Sequence, residues 1–478
     1  MASAALEFLR VGRRYELHVL PESIDAQDSV WEGNGLRSRS AGNRAKPGRG
    51  ESTAEEIEEE ETRAAAAFVG AFEFEERRTA PGAAVDEKPS KFLLIQIFRF
   101  VHVRLIGALG PLAGNRGRFL QLDLKVIQMA ISACLLDVPV NNPKLKVPVG
   151  LKVIGEVVKG LNSLTRRKDG TINRQLADLL EIKVGPSEKP VNGVSSKDVV
   201  IDEETNVWVR VFIPEICESS GNQKVPVMVY YHGGGFGVLC ANMIVYDRMC
   251  RRLARGCKMV VVSVNYRRAP EHRFPIAYDD SFKALEWLQS PRSASHLPPT
   301  VDVSRTFLCG DSAGGNIVHF TGCRAAETDL SPLKVTGMIL LQPYLGSEAR
   351  VPSEINLVNV PIISVDATDW HWKAYLPEGA NRDHPACNVF GPFSRDISGL
   401  DLPPMFVVVG TLDVLMDHQL IYAQKMQEIG KHVKMKIYDG GIHGFYFLEH
   451  VGIALRCMND INDFCQSCLL VQPIRIDV

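Results

Sequence analysis

The sequence predicts an α/β protein with a mostly parallel central sheet and helices on both faces of that sheet. Two observations support this prediction. Short apolar runs typical of strands lie at 207–213, 225–231, 259–264, 306–309, 337–341, 405–409 and 433–438. Helical patterns lie between them, and they include 246–254, 278–288, 314–327 and 418–429. Almost wholly apolar strands that alternate with helices are typical of a parallel sheet buried on both faces.

The composition permits a large core and excludes several classes of protein. Of the 478 residues, 45% are hydrophobic and 23% are charged, close to the averages for globular proteins. The formal net charge of -2 provides no field that would attract nucleic acid, so we expect no nucleic-acid partner. The apolar run 92–109 contains Arg99, His102 and Arg104, and we therefore expect no stable insertion into membranes. Eleven cysteines without a spacing framework and without a secretory signal predict reduced thiols in the cytoplasm or nucleus.

The chain divides into three segments of different character. Residues 1–145 contain a Gly-, Ser- and Arg-rich stretch and a glutamate-rich run, which predict a low-complexity extension that is disordered or partly helical. Residues 146–190 contain apolar residues at three- and four-residue spacing around 154–164 and 176–180, which predict two helices. Residues 191–478 carry the alternating strands and helices.

A candidate nucleophile follows the run 306–309. The chain there contains the pattern G-x-S-x-G, with Ser312 in the middle and Gly310 and Gly314 on either side. In the context of a strand, a tight turn and a helix, this pattern exposes the serine hydroxyl above the sheet, and the helix N-terminus favours a developing anion. An ordinary helix-capping serine is the alternative interpretation.

A glycine-rich loop follows the run 225–231 and reads HGGGF at 232–236. Glycines allow backbone N–H groups to face a ligand without a Cβ in the way. The pattern matches the oxyanion-hole loop of lipases and esterases, so we predict that Gly234, Gly235 and the Ala313 amide bind an oxyanion, with Gly233 as part of the loop. We expect His232 to brace the loop. A phosphate-binding loop is the alternative, but neither of its usual glycine patterns occurs here.

A serine nucleophile needs a base, and the base needs an orienting acid. His443 lies on a glycine-rich loop after the run 433–438, and Asp413 lies just beyond the run 405–409. The order Ser, Asp, His is the one expected for this arrangement of strands. Asp417 and Asp439 are alternative candidates for the acid.

These motifs together resemble the plant carboxylesterases of the hormone-sensitive-lipase family, which are related to the gibberellin receptors. The resemblance covers about residues 150–470 and rests on HGGGF, GDSAGGNIVH at 310–319, DWHWKAYLPEG at 369–379, HPACNVFGP at 384–392 and GIHGF at 441–445. It implies an α/β-hydrolase fold in which residues 146–190 form a helical lid and residues 191–478 form the catalytic domain. The region 1–145 has no counterpart in the family pattern.

The resemblance implies a serine carboxylesterase that acts on a small-molecule ester and needs no cofactor or metal. It also raises an alternative, because the related receptors bind a hormone and have lost the catalytic histidine to an aliphatic residue. The receptors read HGGS where this chain reads HGGG. The presence of His443 and Gly235 favours an esterase over a hormone-binding module. The sequence names neither the substrate nor a protein partner.

Overall fold

The computed structural model describes residues 149–219, 224–449 and 451–470. The predictions for residues 1–145, including the run 92–109, lie outside the described residues. No helix in the described part of the chain is long and apolar enough to cross a membrane. The ten cysteines that the structure describes are all free thiols.

Eight strands form one sheet. They are β1 (Val194–Asp202), β2 (Val207–Pro214), β3 (Val225–Tyr231), β4 (Val260–Asn265), β5 (Val301–Asp311), β6 (Val335–Leu341), β7 (Met405–Leu412) and β8 (Val433–Ile442). Their order in the sheet is β1-β2-β4-β3-β5-β6-β7-β8. Strands β3 to β8 are parallel, whereas β1 pairs antiparallel with β2 and β2 pairs antiparallel with β4. The carboxyl ends of the parallel strands therefore meet at one edge of the sheet, where a site is expected.

Ten α-helices precede, connect and follow these strands in the described residues. They are α1 (Val149–Thr165), α2 (Arg174–Leu180), α3 (Ile216–Ser219), α4 (Ile244–Cys257), α5 (Ile276–Gln289), α6 (Ala313–Ala326), α7 (Pro352–Asn356), α8 (Val365–Tyr375), α9 (Met416–Glu428) and α10 (Gly452–Leu470). Short 3-10 helices occur at Pro291–Ser295 and Phe445–Phe447.

The sheet is buried on both faces because successive side chains of each strand point to opposite sides. On β3, Val227 and Val229 join one apolar cluster with residues of α5, α6 and α9. Met228 and Tyr230 of the same strand join a second cluster with residues of α4 and α10. At about 25 cal/mol for each Å² of apolar surface buried, these two clusters supply the main favourable contribution to folding.

The predicted fold class is confirmed, and the seven predicted strands and four predicted helices are present with boundaries shifted by a few residues. Strand β1 was not predicted. It lies at the edge of the sheet, where Lys197 and Asp198 interrupt its apolar pattern and about half of the strand remains accessible. Helices α3, α7, α8 and α10 were also not predicted, although the buried positions 454, 457, 461, 464 and 465 of α10 follow helical spacing.

The two helices predicted within residues 146–190 are α1 and α2, and the turn between them lies on the glycine loop. Ile172 packs with Val238, and its side chain approaches Gly237 so closely that a Cβ there would lie 3.2 Å from the Ile172 Cδ1. Arg174, the first residue of α2, donates hydrogen bonds to the carbonyls of Gly237 (2.7 Å) and Ala269 (2.9 Å). Residues 172–180 therefore cover one side of the 232–239 loop.

Candidate active site

Ser312 occupies the turn between β5 and α6. Its backbone angles, φ 52° and ψ -116°, lie in a region that non-glycine residues rarely adopt. The flanking glycines make this turn possible, because a Cβ at Gly310 would lie 2.9 Å from the Tyr231 carbonyl oxygen, and one at Gly314 would lie 3.0 Å from the His232 oxygen. The turn is therefore pressed against the end of β3, and 7% of Ser312 remains exposed.

The glycine loop lies directly beside Ser312. A Cβ on Gly233 would be 3.1 Å from the Ser312 Cβ, and Gly234 and Gly235 both have positive φ, at 98° and 58°. The N–H groups of Gly234, Gly235 and Ala313 donate no hydrogen bond to any acceptor in the described residues. Ala313 is buried and the two glycines are half-buried, so their unpaired N–H groups are available to a ligand beside the serine turn.

His232 is held rigidly at the start of the loop. Its ring stacks on Tyr266 with centroids 4.2 Å apart and planes within 9°, and its Nδ1 lies 2.9 Å from the Gly233 oxygen. Burial lowers the pKa of His232 to about 3, so the imidazole is neutral at physiological pH. These contacts fix the orientation of the His232 ring at the start of the loop.

A buried carboxylate links the glycine loop to the serine turn. Asp311 Oδ1 accepts hydrogen bonds from the Tyr230 hydroxyl (2.8 Å) and the Gly233 N–H (3.0 Å), and Oδ2 accepts one from the Tyr246 hydroxyl (3.2 Å). Burial raises the pKa of Asp311 to about 6, against these hydrogen bonds and the charge of His443. Asp311, which directly precedes Ser312, thus connects the serine turn to the glycine loop.

The structure brings Asp413 and His443 together at the ends of β7 and β8. Asp413 Oδ2 lies 2.9 Å from His443 Nδ1, and Asp413 has no exposed surface. Its other oxygen, Oδ1, accepts a hydrogen bond from the Leu415 N–H at 3.0 Å. The two alternative acids lie elsewhere, since Asp417 accepts from the Ser353 N–H and Asp439 accepts from the Thr411 hydroxyl.

The environment of His443 favours its protonated form. Burial by itself lowers the pKa of His443, but the charge and the hydrogen bond of Asp413 outweigh burial, and the more distant Asp311 acts in the same direction. The pKa of His443 is therefore raised above its ordinary value. A histidine stabilised as imidazolium is suited to accept a proton during a reaction.

Three residues of the candidate site were not predicted from the sequence. Gln342 and Gln419 both donate to Asp413 Oδ2, at 2.8 Å and 2.9 Å. His371 of α8 lies against the glycine loop, and a Cβ on Gly235 would be 2.6 Å from the His371 Cγ. His371 lies within the segment DWHWKAYLPEG at 369–379, but nothing in that segment indicates a contact with the glycine loop, and Gln342 and Gln419 lie in none of the quoted motifs. The available signals were the position of Gln342 immediately after a predicted strand and the position of His371 within the quoted segment.

No group of three or more His, Cys, Asp or Glu side chains within the described ranges is arranged to hold a metal ion. The polar groups that follow β5, β7 and β8 at this edge of the sheet include the Ser312 hydroxyl and the Asp413–His443 pair. Groups of these types can support nucleophilic attack by a serine and the binding of an oxyanion.

The largely parallel eight-stranded sheet, with a serine turn after β5 and a histidine loop after β8, defines an α/β hydrolase. Comparison with known proteins agrees. A family model for the α/β-hydrolase fold matches residues 228–447, and a carboxylesterase family model matches residues 183–271.

The chain belongs to the α/β-hydrolase family that includes plant carboxylesterases and the gibberellin receptors. It is 42% identical over 342 residues to a gibberellin receptor of Arabidopsis thaliana, which covers 69% of this chain and 98% of the receptor. It is 35% identical over 290 residues to carboxylesterase 20 of the same plant, which covers 59% and 88%. Among solved structures, an esterase of Pyrobaculum calidifontis is similar, with a TM-score of 0.50, 25% identity, and coverage of 68% of this chain and 95% of that one.

Proposed function

We propose that this protein is a serine carboxylesterase that hydrolyses small carboxylic esters through an acyl-serine intermediate. The observation that carries the proposal is the 2.9 Å contact between His443 Nδ1 and the fully buried Asp413 carboxylate. This pair lies at the edge of the sheet that also carries Ser312 and the unpaired N–H groups of the glycine loop. Membership of a family that contains carboxylesterases supports the same function.

In the proposed mechanism, the Ser312 hydroxyl oxygen attacks the ester carbonyl carbon while His443 Nε2 accepts the hydroxyl proton. Asp413 holds the Nδ1–H of His443 and stabilises the imidazolium that forms. The tetrahedral oxyanion collapses, the alcohol leaves with the proton from His443, and Ser312 is acylated. Water then attacks the acyl-serine with His443 as the base, which releases the acid and restores Ser312.

The proposed oxyanion donors are the N–H groups of Gly234, Gly235 and Ala313. Loss of a single donor of this kind costs about 3 kcal/mol of transition-state stabilisation in well-studied hydrolases. The hydrogen bond that the Gly233 N–H donates to Asp311 and the contact of His232 Nδ1 with the Gly233 oxygen hold the loop that carries these donors before a substrate arrives. Preorganised donors need no rearrangement during the reaction, and this makes them effective.

The decisive test is hydrolysis of a short-chain nitrophenyl ester by the wild type and by Ser312→Ala. We expect kcat to fall at least about 1000-fold in Ser312→Ala, and we expect this variant no longer to be labelled by a fluorophosphonate. Ser304→Ala is the matched control, because Ser304 is an exposed serine on the same strand, β5. Full activity in Ser312→Ala, or a folded wild type that neither turns over ester nor labels, would overturn the proposal.

A second candidate function is hormone binding without turnover. It is favoured by the 42% identity to a gibberellin receptor over 98% of that receptor's length. The contact between His443 and Asp413 favours the esterase over hormone binding, because a protein that only binds a hormone does not need a base oriented by a carboxylate. Calorimetry of the wild type with gibberellins separates the two: saturable binding without ester turnover supports the receptor-like function, and turnover without binding supports the esterase.

A further inference from the structure

A buried glutamine lies between the loops that carry Asp413 and His443. Gln342 directly follows β6, which lies between β5 and β7 in the sheet, and it has no exposed surface. Its own N–H donates to the Val408 carbonyl of β7 at 3.0 Å. Its φ of 45° lies in the left-handed region that few non-glycine residues adopt, and such conformations persist only where the surroundings hold them.

Both ends of the Gln342 side chain are used. Its Nε2 donates to Asp413 Oδ2 at 2.8 Å, and its Oε1 accepts the backbone N–H of Gly444 at 2.8 Å. Because a backbone N–H can only donate, the amide oxygen must face Gly444 and the amide nitrogen must face Asp413. One side chain therefore ties the aspartate to the residue that follows His443.

Gly410 leaves space for the Gln342 amide, and a second glutamine makes the same hydrogen bond to Asp413. A Cβ on Gly410 would lie 2.6 Å from Gln342 Nε2, so glycine at this position makes room for the amide. Gln419 of α9 donates a second amide N–H to Asp413 Oδ2 at 2.9 Å, but its Oε1 has no hydrogen-bond partner among the described residues. Both glutamines thus donate to Asp413, but only Gln342 also accepts the Gly444 N–H.

We propose that Gln342 is a positioning residue that sets the distance and angle between Asp413 and His443. This inference rests on the proposed esterase function and deepens it. The bridge joins the turn after β7 to the turn after β8, so the acid and the base move together. A displacement of about 1 Å at a reacting group can cost about 100-fold in rate, which makes such a bridge valuable.

Neutral donors suit this place better than a cation would. Asp413 Oδ2 accepts from two amides and from His443, and the described residues place no Lys or Arg against it. An arginine in place of either glutamine would form an ion pair with Asp413 and weaken the attraction between Asp413 and the His443 imidazolium. Neutral amides instead satisfy the buried carboxylate by hydrogen bonding and do not weaken that attraction. The other titratable groups facing the pair are Asp311 of β5 and Tyr446 of the 3-10 helix Phe445–Phe447.

Two substitutions test the inference by ester hydrolysis across pH. Gln342→Met keeps the length and removes both hydrogen bonds, so we expect kcat to fall about 10- to 100-fold at every pH while KM changes less than about threefold. Gln342→Glu can form both hydrogen bonds only when its carboxyl is protonated. We therefore expect its kcat, relative to wild type, to rise as the pH falls, a trend that a merely structural defect would not produce.

Gln419→Met and Gln424→Met are the matched controls. Gln419→Met loses only the bond to Asp413, and we expect a smaller loss of kcat than in Gln342→Met. Gln424 is an exposed glutamine of α9 bonded to Glu428, and its substitution should leave the kinetics unchanged. Wild-type kcat in a folded Gln342→Met, or a Gln342→Glu to wild-type ratio that does not change with pH, would overturn the inference.

The test stays separate from the test of the esterase function. If the wild type neither hydrolyses esters nor labels, the esterase proposal fails first. The bridge is then examined through the downfield proton resonance of His443 Nδ1–H, which needs no turnover. We expect this resonance in the wild type and its loss or shift in Gln342→Met; an unchanged resonance would overturn the positioning role.

Discussion

Asp311 has the clearest consequence for the stability of the fold. Its carboxyl is fully buried, and its pKa is about 6, compared with an ordinary value of 3.8. The folded state binds the Asp311 proton more tightly than the unfolded state does. Protonated Asp311 therefore contributes to the free energy of unfolding fully below about pH 4, and this contribution is lost as the pH rises through about 6. The difference of about two pKa units corresponds to about 3 kcal/mol of unfolding free energy.

We predict that Asp311→Asn removes this pH dependence. An asparagine oxygen can still accept from Tyr230 and Gly233, and it carries no charge to bury. Urea unfolding at several pH values measures the effect. The difference in unfolding free energy between wild type and Asp311→Asn should change by about 3 kcal/mol from pH 4 to pH 7, in favour of the variant at pH 7. A difference that is flat over this range would show that Asp311 is not responsible.

The raised pKa of His443 predicts the acid side of the pH–rate profile. The base must be neutral to accept the Ser312 proton, so kcat/KM should fall as the pH drops through the His443 pKa, which lies above the ordinary value of about 6.5. Asp413→Asn removes the charge that raises this pKa and should move the remaining activity's acid limb to lower pH. The control His432→Ala, an exposed histidine beside β8, should keep the wild-type profile.

Gly235 is a second residue whose neighbours dictate its identity. With φ 58° and His371 in the space of a side chain, any Cβ is strained. We predict that Gly235→Ala loses at least about 1 kcal/mol of unfolding free energy and about 10-fold or more in kcat/KM. Adding His371→Ala should restore part of the loss. Gly256→Ala is the control, since nothing lies within 4 Å of a Cβ there; an equal effect in both single variants would contradict this account.

Among the helices, α2 contacts the glycine loop through its first residue. Its first residue, Arg174, binds two carbonyls beside the glycine loop and forms a two-bond ion pair with Glu271, at 3.2 and 2.6 Å. Residues 166–180 depend on few other polar contacts with the loop, and a small apolar cluster of Ile172, Ala177 and Val238 completes the packing. We propose that this segment acts as the lid expected for residues 146–190.

We predict that Arg174→Met loosens this lid. Amide hydrogen exchange should become faster in 172–180 and 233–239, and KM should rise more than kcat falls, because the substrate loses a covering surface while the nucleophile is untouched. Arg395→Met is the control, since Arg395 also makes a two-bond ion pair, with Glu327 at the surface away from the loop. Exchange that is unchanged near the loop in Arg174→Met would rule out this anchor.

At the scale of the whole molecule, residues 149–470 contain the sheet and helices on both of its faces. We therefore propose that residues 1–145 are dispensable for folding and catalysis. A chain lacking 1–145 should keep its melting temperature within a few degrees and its kcat/KM within about twofold. A large loss of either would assign the N-terminal region a part in the catalytic unit.

Local sequence signals were sufficient for the alternation of strands and helices, for the serine turn and for the glycine loop. Apolar periodicity and glycine spacing act over a few residues, so they can be read along the chain. The order of the strands, the antiparallel placement of β1 and the contact of His371 with Gly235 were not predictable in this way. They depend on which elements pack together, and edge strand β1 has too few buried positions to leave a clear pattern.

The sequence by itself determined the α/β architecture, the family and the candidates Ser312, Asp413 and His443, because each follows a strand within a short motif. Only the tertiary structure decided that Asp413, and not Asp417 or Asp439, faces His443 at 2.9 Å. It alone placed Gln342 and Gln419 on the same carboxylate and Asp311 under the glycine loop. Partners of this kind come from strands and helices far apart in the chain, and only the packing of the sheet brings their side chains within hydrogen-bonding distance.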